Sequence, residues 1–333
     1  MTRMPHPWHA VAAGMLVTSW GWIPVGLANG APAAKPSAAT PKPAPTAAAK
    51  AVGSAPAAGA PVRKPGDFVT ERARLLAPTR TVPYKTVGKR ELHLRLFEPA
   101  GHRPSDARPC FLMIHGGGWV AGTPTIMYAL AEHFAARGWL CASLEYRLHA
   151  PEKGTTAFDG VSDARSAVRY LRTHARELGL DPQRIVAGGR SAGGHLAVMT
   201  SLGEKLDDPQ DDRQVSCVPD ALILYSPVID TSAEGYGHAL LGERWKELSP
   251  RNLVRPGVPP TLVLHGKRDT TTPLVGATAF ADAMRAAGNT CELVVDERGS
   301  HSYMMRTAAL FDEAMNRTEA FLKQAGIAPT PGP

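Results

Sequence analysis

Five residues, Gly189-Arg190-Ser191-Ala192-Gly193, carry the strongest chemical signal in the chain. They follow the apolar run Ile185-Val186-Ala187-Gly188 and precede the helix-like run Leu196-Ala197-Val198-Met199, so they sit where a strand would turn sharply into a helix. A serine on such a turn has its hydroxyl exposed and the free amides of the following helix beneath it, an arrangement suited to nucleophilic attack on a carbonyl. Small neighbours are needed because the turn is crowded. Seventy-six residues earlier, His115-Gly116-Gly117-Gly118-Trp119 follows the apolar run Phe111-Leu112-Met113-Ile114. Glycines there let backbone N–H groups approach a substrate, and acyl transfer needs fixed donors where negative charge develops on the carbonyl oxygen. The amides of Gly117, Gly118 and Ala192 are the expected donors.

A serine nucleophile needs a base, and the base needs an acid to orient it. Asp269 lies in the loop Gly266-Lys267-Arg268-Asp269-Thr270-Thr271-Thr272-Pro273, and His301 follows the last apolar strand through Glu297-Arg298-Gly299-Ser300. The chain order is then Ser, Asp, His. Asp230, after the preceding strand, could reach the same histidine from another corner, whereas Asp296 is still on its strand. Of the other histidines, His195 lies in the helix after the serine and is expected to face away from the centre. His265 ends a strand, and His102, His149 and His238 fall in loops.

Three loops can meet only if the elements behind them share an edge. Strands are expected at 82–87 and 91–99, joined by a turn at Gly88 and Lys89, then at 110–115, 140–146, 184–188, 221–226, 261–265 and 291–296. Helices are expected at 125–137, 158–178, 191–202, 274–287 and about 303–325. Strands alternating with long helices predict an α/β fold, a mostly parallel eight-stranded sheet with helices on both faces. In the helix at 158–178, Val161, Ala164, Ala167, Val168 and Leu171 form an apolar stripe, with Asp163, Arg165, Arg169 and Arg172 on the other face. Residues 229–258 read as an irregular insertion over the C-terminal edge of the sheet, where open α/β sheets bind ligands.

Together with the run Glu145-Tyr146-Arg147-Leu148-His149-Ala150-Pro151-Glu152, these motifs resemble those of the hormone-sensitive-lipase-like esterases, which carry HGGG and GDSAGG boxes. The resemblance spans about residues 80–325 and implies an α/β-hydrolase fold. Arg190 stands where that group usually has an acid. The acid loop, HGKRD, is closer to the acetylxylan and feruloyl esterase branch and to the catalytic domain of prolyl-oligopeptidase-type peptidases. The resemblance implies a carboxylic ester substrate, attack by Ser191, proton transfer to His301, an acyl-enzyme and its hydrolysis, with no metal or organic cofactor. Short acyl esters, some on carbohydrate such as acetylated xylan, lead the substrate classes. A general carboxylesterase, a peptidase or amidase, and a catalytically silent scaffold are the alternatives.

The rest of the chain bounds the setting. Of 333 residues, 44% are apolar and 20% charged, a globular balance with enough material for a large core. The net charge of +7 is concentrated before residue 65, where six Lys and Arg stand with no Asp or Glu. The remainder is near neutral and carries no footprint for nucleic acid. Residues 1–30, with Arg3, an apolar run and small residues around Ala28, have the order of a secretory signal peptide, predicting a secreted or periplasmic enzyme. An uncleaved membrane anchor is the alternative. Residues 31–65, rich in Ala and Pro, are expected to form a disordered linker before a catalytic domain at 66–326 and a disordered tail at 327–333. The four cysteines have no metal-ligand spacing and read as core residues, with Cys110 and Cys141 the first pair to consider for a disulfide.

Overall fold

The computed structural model describes residues 67–329, so the signal-peptide and linker segments and the last four residues lie outside the described residues. Eight strands run in the order β1 (Arg80–Val87), β2 (Arg90–Phe97), β3 (Arg108–Ile114), β4 (Leu140–Leu144), β5 (Leu180–Arg190), β6 (Ala221–Tyr225), β7 (Thr261–Gly266) and β8 (Cys291–Asp296). They form one sheet ordered β1-β2-β4-β3-β5-β6-β7-β8, in which only the β1–β2 and β2–β4 pairs are antiparallel. The helices are α1 (Phe68–Ala73), α2 (Tyr128–Ala135), α3 (Ala157–Thr173), α4 (Ala175–Leu178), α5 (Ala192–Leu202), α6 (His238–Leu241), α7 (Pro250–Leu253), α8 (Leu274–Ala286) and α9 (Ala308–Gln324). Alternate residues of each strand feed two apolar layers. Leu112, Ile114, Ala187 and Leu224 pack with α3, α5 and α8, while Phe111, Met113, Val186 and Ile223 pack with α1, α2 and α9. Covering both faces is what lets the parallel strands be apolar throughout.

Several elements depart from the sequence reading for identifiable reasons. Helix α1 is too short for a periodic signal; its start is fixed by Asp67, whose carboxylate accepts from Thr70 N at 2.8 Å. The helix expected at 158–178 breaks at His174, whose ring stacks on Tyr170 with centroids 4.0 Å apart. The last helix begins only at Ala308, capped by Thr307, because Tyr303–Met305 forms a 3-10 turn that buries all three side chains. At the other end Ile327, read as part of a disordered tail, is 6% exposed and donates its N–H to Leu322 O at 3.0 Å.

The charged face of α3 is not solvent-facing. Asp163, Arg165 and Arg169 are all buried, because β1 and the loop after α5 cover them with opposite charges. Lys85 and Arg147 meet Asp163 at 2.9 and 2.7 Å, Arg165 meets Asp207 at 2.8 Å, and Arg169 meets Asp207 and Asp211 at 2.6 and 2.9 Å. Buried charges persist only when paired in this way.

The four cysteines are buried free thiols. Cys141 is in register with Phe111, and Cys110 with Leu140, so the two thiols point into opposite layers and cannot form the disulfide considered above. Burial raises both thiols above their ordinary range and pushes Cys291 up to about 12.

Candidate active site

The parallel register brings the relevant loops to one rim. Ile114, at the end of β3, pairs with Gly189, Arg190 pairs with Tyr225 of β6, and Gly266 of β7 pairs with Asp296 of β8. Ser191 therefore leaves β5 beside the glycine loop, and the chain segments carrying Asp269 and His301 leave adjacent strands. The Ser191 backbone is held by its N–H to Tyr225 O (2.9 Å) and by Val228 N–H to its carbonyl (3.2 Å). Its φ of 55° is a strained conformation for a non-glycine residue, as are those of Trp119 (64°), Ser226 (42°) and Ser302 (56°). Of the five such residues among the described residues, four belong to or flank this site, each at a cost of about 1–3 kcal/mol. Gly193 makes the turn possible, since a Cβ there would lie 2.6 Å from His115 O.

The structure brings the three predicted side chains into one hydrogen-bonded row. His301 Nε2 is 3.0 Å from Ser191 Oγ, and His301 Nδ1 is 2.8 Å from Asp269 Oδ2. With Asp269 ionised, Nδ1–H donates to the carboxylate, leaving Nε2 as the acceptor for the serine hydroxyl. Asp269 is 5% exposed and well satisfied: Oδ1 accepts from Thr271 N and Thr272 N, both at 2.9 Å, and Oδ2 accepts from the Thr272 hydroxyl at 2.9 Å. Burial pushes this carboxyl up, but the bonds from His301 and Thr272 together outweigh it and hold it below the usual carboxylate range. Thr272 is a residue sequence reasoning missed; the clue was a hydroxyl three positions after the acid.

Asp230 is not in the row. Its Oδ2 pairs with Arg251 Nη1 at 2.6 Å and its Oδ1 accepts from Ser232 N at 2.9 Å, so it ties the two ends of the 229–258 insertion together. The insertion is α6, a 3-10 turn at Gly242–Leu248 and α7. Asp296 accepts from Arg298 N at 2.9 Å and stays with its strand.

Among the described residues, the N–H groups of Gly117, Gly118 and Ala192 have no hydrogen-bond partner. The loop bearing the glycines is braced from behind. His115 Nδ1–H donates to Gly116 O at 2.8 Å, the ring stacks on Tyr146 at 4.4 Å, and Tyr146 O–H donates to His115 O at 3.0 Å. His195, expected to face away from the centre, bonds to none of the three side chains in the row: it is fully buried, accepting from Trp119 Nε1 at 3.2 Å and donating through Nε2 to Leu248 O at 2.8 Å. It thereby links the glycine loop to the insertion. Arg190 donates from Nη1 to Ser302 Oγ at 2.7 Å, bracing the residue after His301.

Burial pushes His115 and His195 down to about 4, against weaker upward pulls from their backbone acceptors, so both are neutral at pH 7. The unfolded chain takes up these protons near pH 6.5 while the folded chain resists until about 4. Stability is thus complete above pH 6.5 and falls as pH drops through that window, by up to about 3 kcal/mol per histidine. Thermal melts at pH 7, 5.5 and 4.5 should show a progressively lower midpoint; a flat profile would contradict neutral burial of both rings.

No cluster of three or more His, Cys, Asp or Glu among the described residues is arranged to hold a metal ion. A serine on a strand-to-helix turn of a mostly parallel sheet, with an imidazole and a carboxylate on the next loops, defines the α/β-hydrolase class. The BD-FAE family matches residues 94–284, and the chain belongs to that family. A TAP-like protein family also matches residues 243–327. The chain is 30% identical to the carboxylesterase NlhH of Mycobacterium tuberculosis over 74% of its length and 82% of NlhH. It is 29% identical to endo-1,4-beta-xylanase B of Butyrivibrio fibrisolvens, over 63% of this chain and 35% of that one. Among solved structures, esterase 2 of Thermogutta terrifontis phosphoramylated by tabun is 37% identical, with a TM-score of 0.71, covering 75% of this chain and 95% of that chain. Against the first curated relatives it matches, the chain spans only about half their length, 50–57%.

Proposed function

We propose that this protein is a serine esterase that cleaves short-chain carboxylic esters through an acyl-enzyme. The observation carrying the reading is the Ser191–His301–Asp269 row beside three unpaired amides. Ser191 Oγ attacks the ester carbonyl while its proton passes to His301 Nε2, and Asp269 stabilises the resulting imidazolium. The carbonyl oxygen, now negative, accepts from Gly117, Gly118 and Ala192 N–H. Collapse breaks the bond to the alcohol, which leaves with the proton from His301. Water then gives a proton to His301 and attacks the acyl carbon. The second collapse releases the acid and returns the proton to Ser191.

Short acyl groups are favoured by the likeness to Thermogutta terrifontis esterase 2, which has been solved with propionate and with butyrate bound. A carbohydrate-linked acyl ester is the second reading, favoured by the HGKRD acid loop and by the match to a xylan-degrading enzyme. With residues 1–30 read as a secretory signal, the enzyme would act outside the cytoplasm. A panel of p-nitrophenyl esters from acetate to palmitate, beside acetylated xylan and methyl ferulate, tests the substrate class. The expected result is kcat/KM highest at two to four acyl carbons, about tenfold or more above the longest chains. A preference beyond about eight carbons would overturn the short-acyl reading, and release of acetate from xylan at comparable efficiency would select the carbohydrate ester.

A further inference from the structure

The insertion brings one more polar group to the glycine loop. Tyr236 is half-buried, and its ring lies against Trp119 with centroids 5.7 Å apart. Its hydroxyl occupies the space beside Gly118, so that a Cβ on that glycine would collide with Tyr236 Oη. Gly118 has a φ of 61° and, under the reading above, supplies one of the amides facing the carbonyl oxygen. The position of Tyr236 is firmly set: its N–H donates to Asp230 O at 2.9 Å, and Asp230 is itself pinned by Arg251. Trp119, under the ring, is fixed by its bond to His195. Among the described residues the Tyr236 hydroxyl has no hydrogen-bond partner, and it is not one of the sealed, unpaired polar atoms. A phenol held rigidly at this place, with its O–H uncommitted, is suited to donate to an oxygen arriving in front of Gly118.

We infer that Tyr236 is a further catalytic residue, its hydroxyl donating to the substrate's carbonyl oxygen as negative charge develops there, beside the backbone amides. The inference rests on the serine-esterase reading. It also gives the insertion a role: the Asp230–Arg251 pair and the Tyr236 N–H bond become the frame that aims the phenol. A side-chain donor at this point strengthens as charge accumulates, so its loss should appear in kcat and not in KM.

Tyr236→Phe keeps the ring on Trp119 and removes only the oxygen. For p-nitrophenyl acetate or butyrate the variant is expected to lose about tenfold or more in kcat, with KM within about threefold. The rate of phosphorylation by paraoxon, whose phosphoryl oxygen takes the place of the carbonyl oxygen, should fall by a similar factor. Circular dichroism and the melting midpoint should match the parent, because a packing role would survive in the phenylalanine. A Tyr236→Phe variant with kcat and phosphorylation rate within twofold of the parent would overturn the inference. If Ser191→Ala were still phosphorylated at the parent rate, the serine-esterase reading itself would fail; if only the Tyr236→Phe effect is missing, that reading stands without Tyr236.

Discussion

Ser191→Ala is expected to lower kcat for a short p-nitrophenyl ester by about 10⁴-fold or more while leaving the fold intact. The hydroxyl oxygen is the only heavy atom lost, and His301 loses the group it would deprotonate at 3.0 Å. The unpaired amides of Gly117, Gly118 and Ala192 and the substrate contacts would persist, so a small residual rate over water should remain. The turn's strain at residue 191, with φ at 55°, is as accessible to alanine as to serine, so the melting midpoint should move little. Steady-state kinetics of parent and variant at matched protein concentration measure the effect. A loss of less than tenfold would mean that the nucleophile lies elsewhere.

Asp269→Asn should cost roughly 10³- to 10⁴-fold in kcat, for a reason visible in the hydrogen bonds. Thr271 N–H and Thr272 N–H both donate to Oδ1, so the amide oxygen of an asparagine must take that place. Its NH₂ group then faces His301 Nδ1, donor against donor. His301 can keep a hydrogen bond there only by moving its proton to Nε2, and a protonated Nε2 cannot accept from Ser191 Oγ. Asp230→Asn is the matched control. It weakens the pair with Arg251 and loosens the insertion, so its effect on kcat should stay within about tenfold. Equal losses at the two positions would contradict the assignment of the acid.

The site was legible in the sequence because its parts lie next to strand ends. Ser191, Asp269 and His301 each follow an apolar run that could be read as a strand, and a parallel sheet brings such ends to one rim. The same logic separated Asp269 from Asp230 only as a preference, since both follow strands; the Arg251 partner that removes Asp230 is 21 residues away. What stayed hidden depends on contacts across long stretches of chain. The charged side of α3 looks like a solvated face until Lys85 and Asp207 are seen to cover it. Trp119 and His195 are 76 residues apart, and no local pattern says that one indole and one imidazole will meet. Tyr236 lies in an insertion with no periodicity, so nothing in its neighbours announces that its hydroxyl reaches Gly118. Arg190 departs from the acid common at this position in the resembling esterases, and only the fold reveals its bond to Ser302.

The central claim is that the residue 191 hydroxyl is the activated nucleophile, and mass spectrometry of the paraoxon-treated protein tests it most directly. Thermogutta terrifontis esterase 2, 36% identical, has been solved phosphorylated by this compound. The account predicts one diethylphosphoryl group per chain, localised by fragmentation to Ser191 and absent from Ser191→Ala. An adduct on any other residue, or undiminished labelling of the alanine variant, would contradict it.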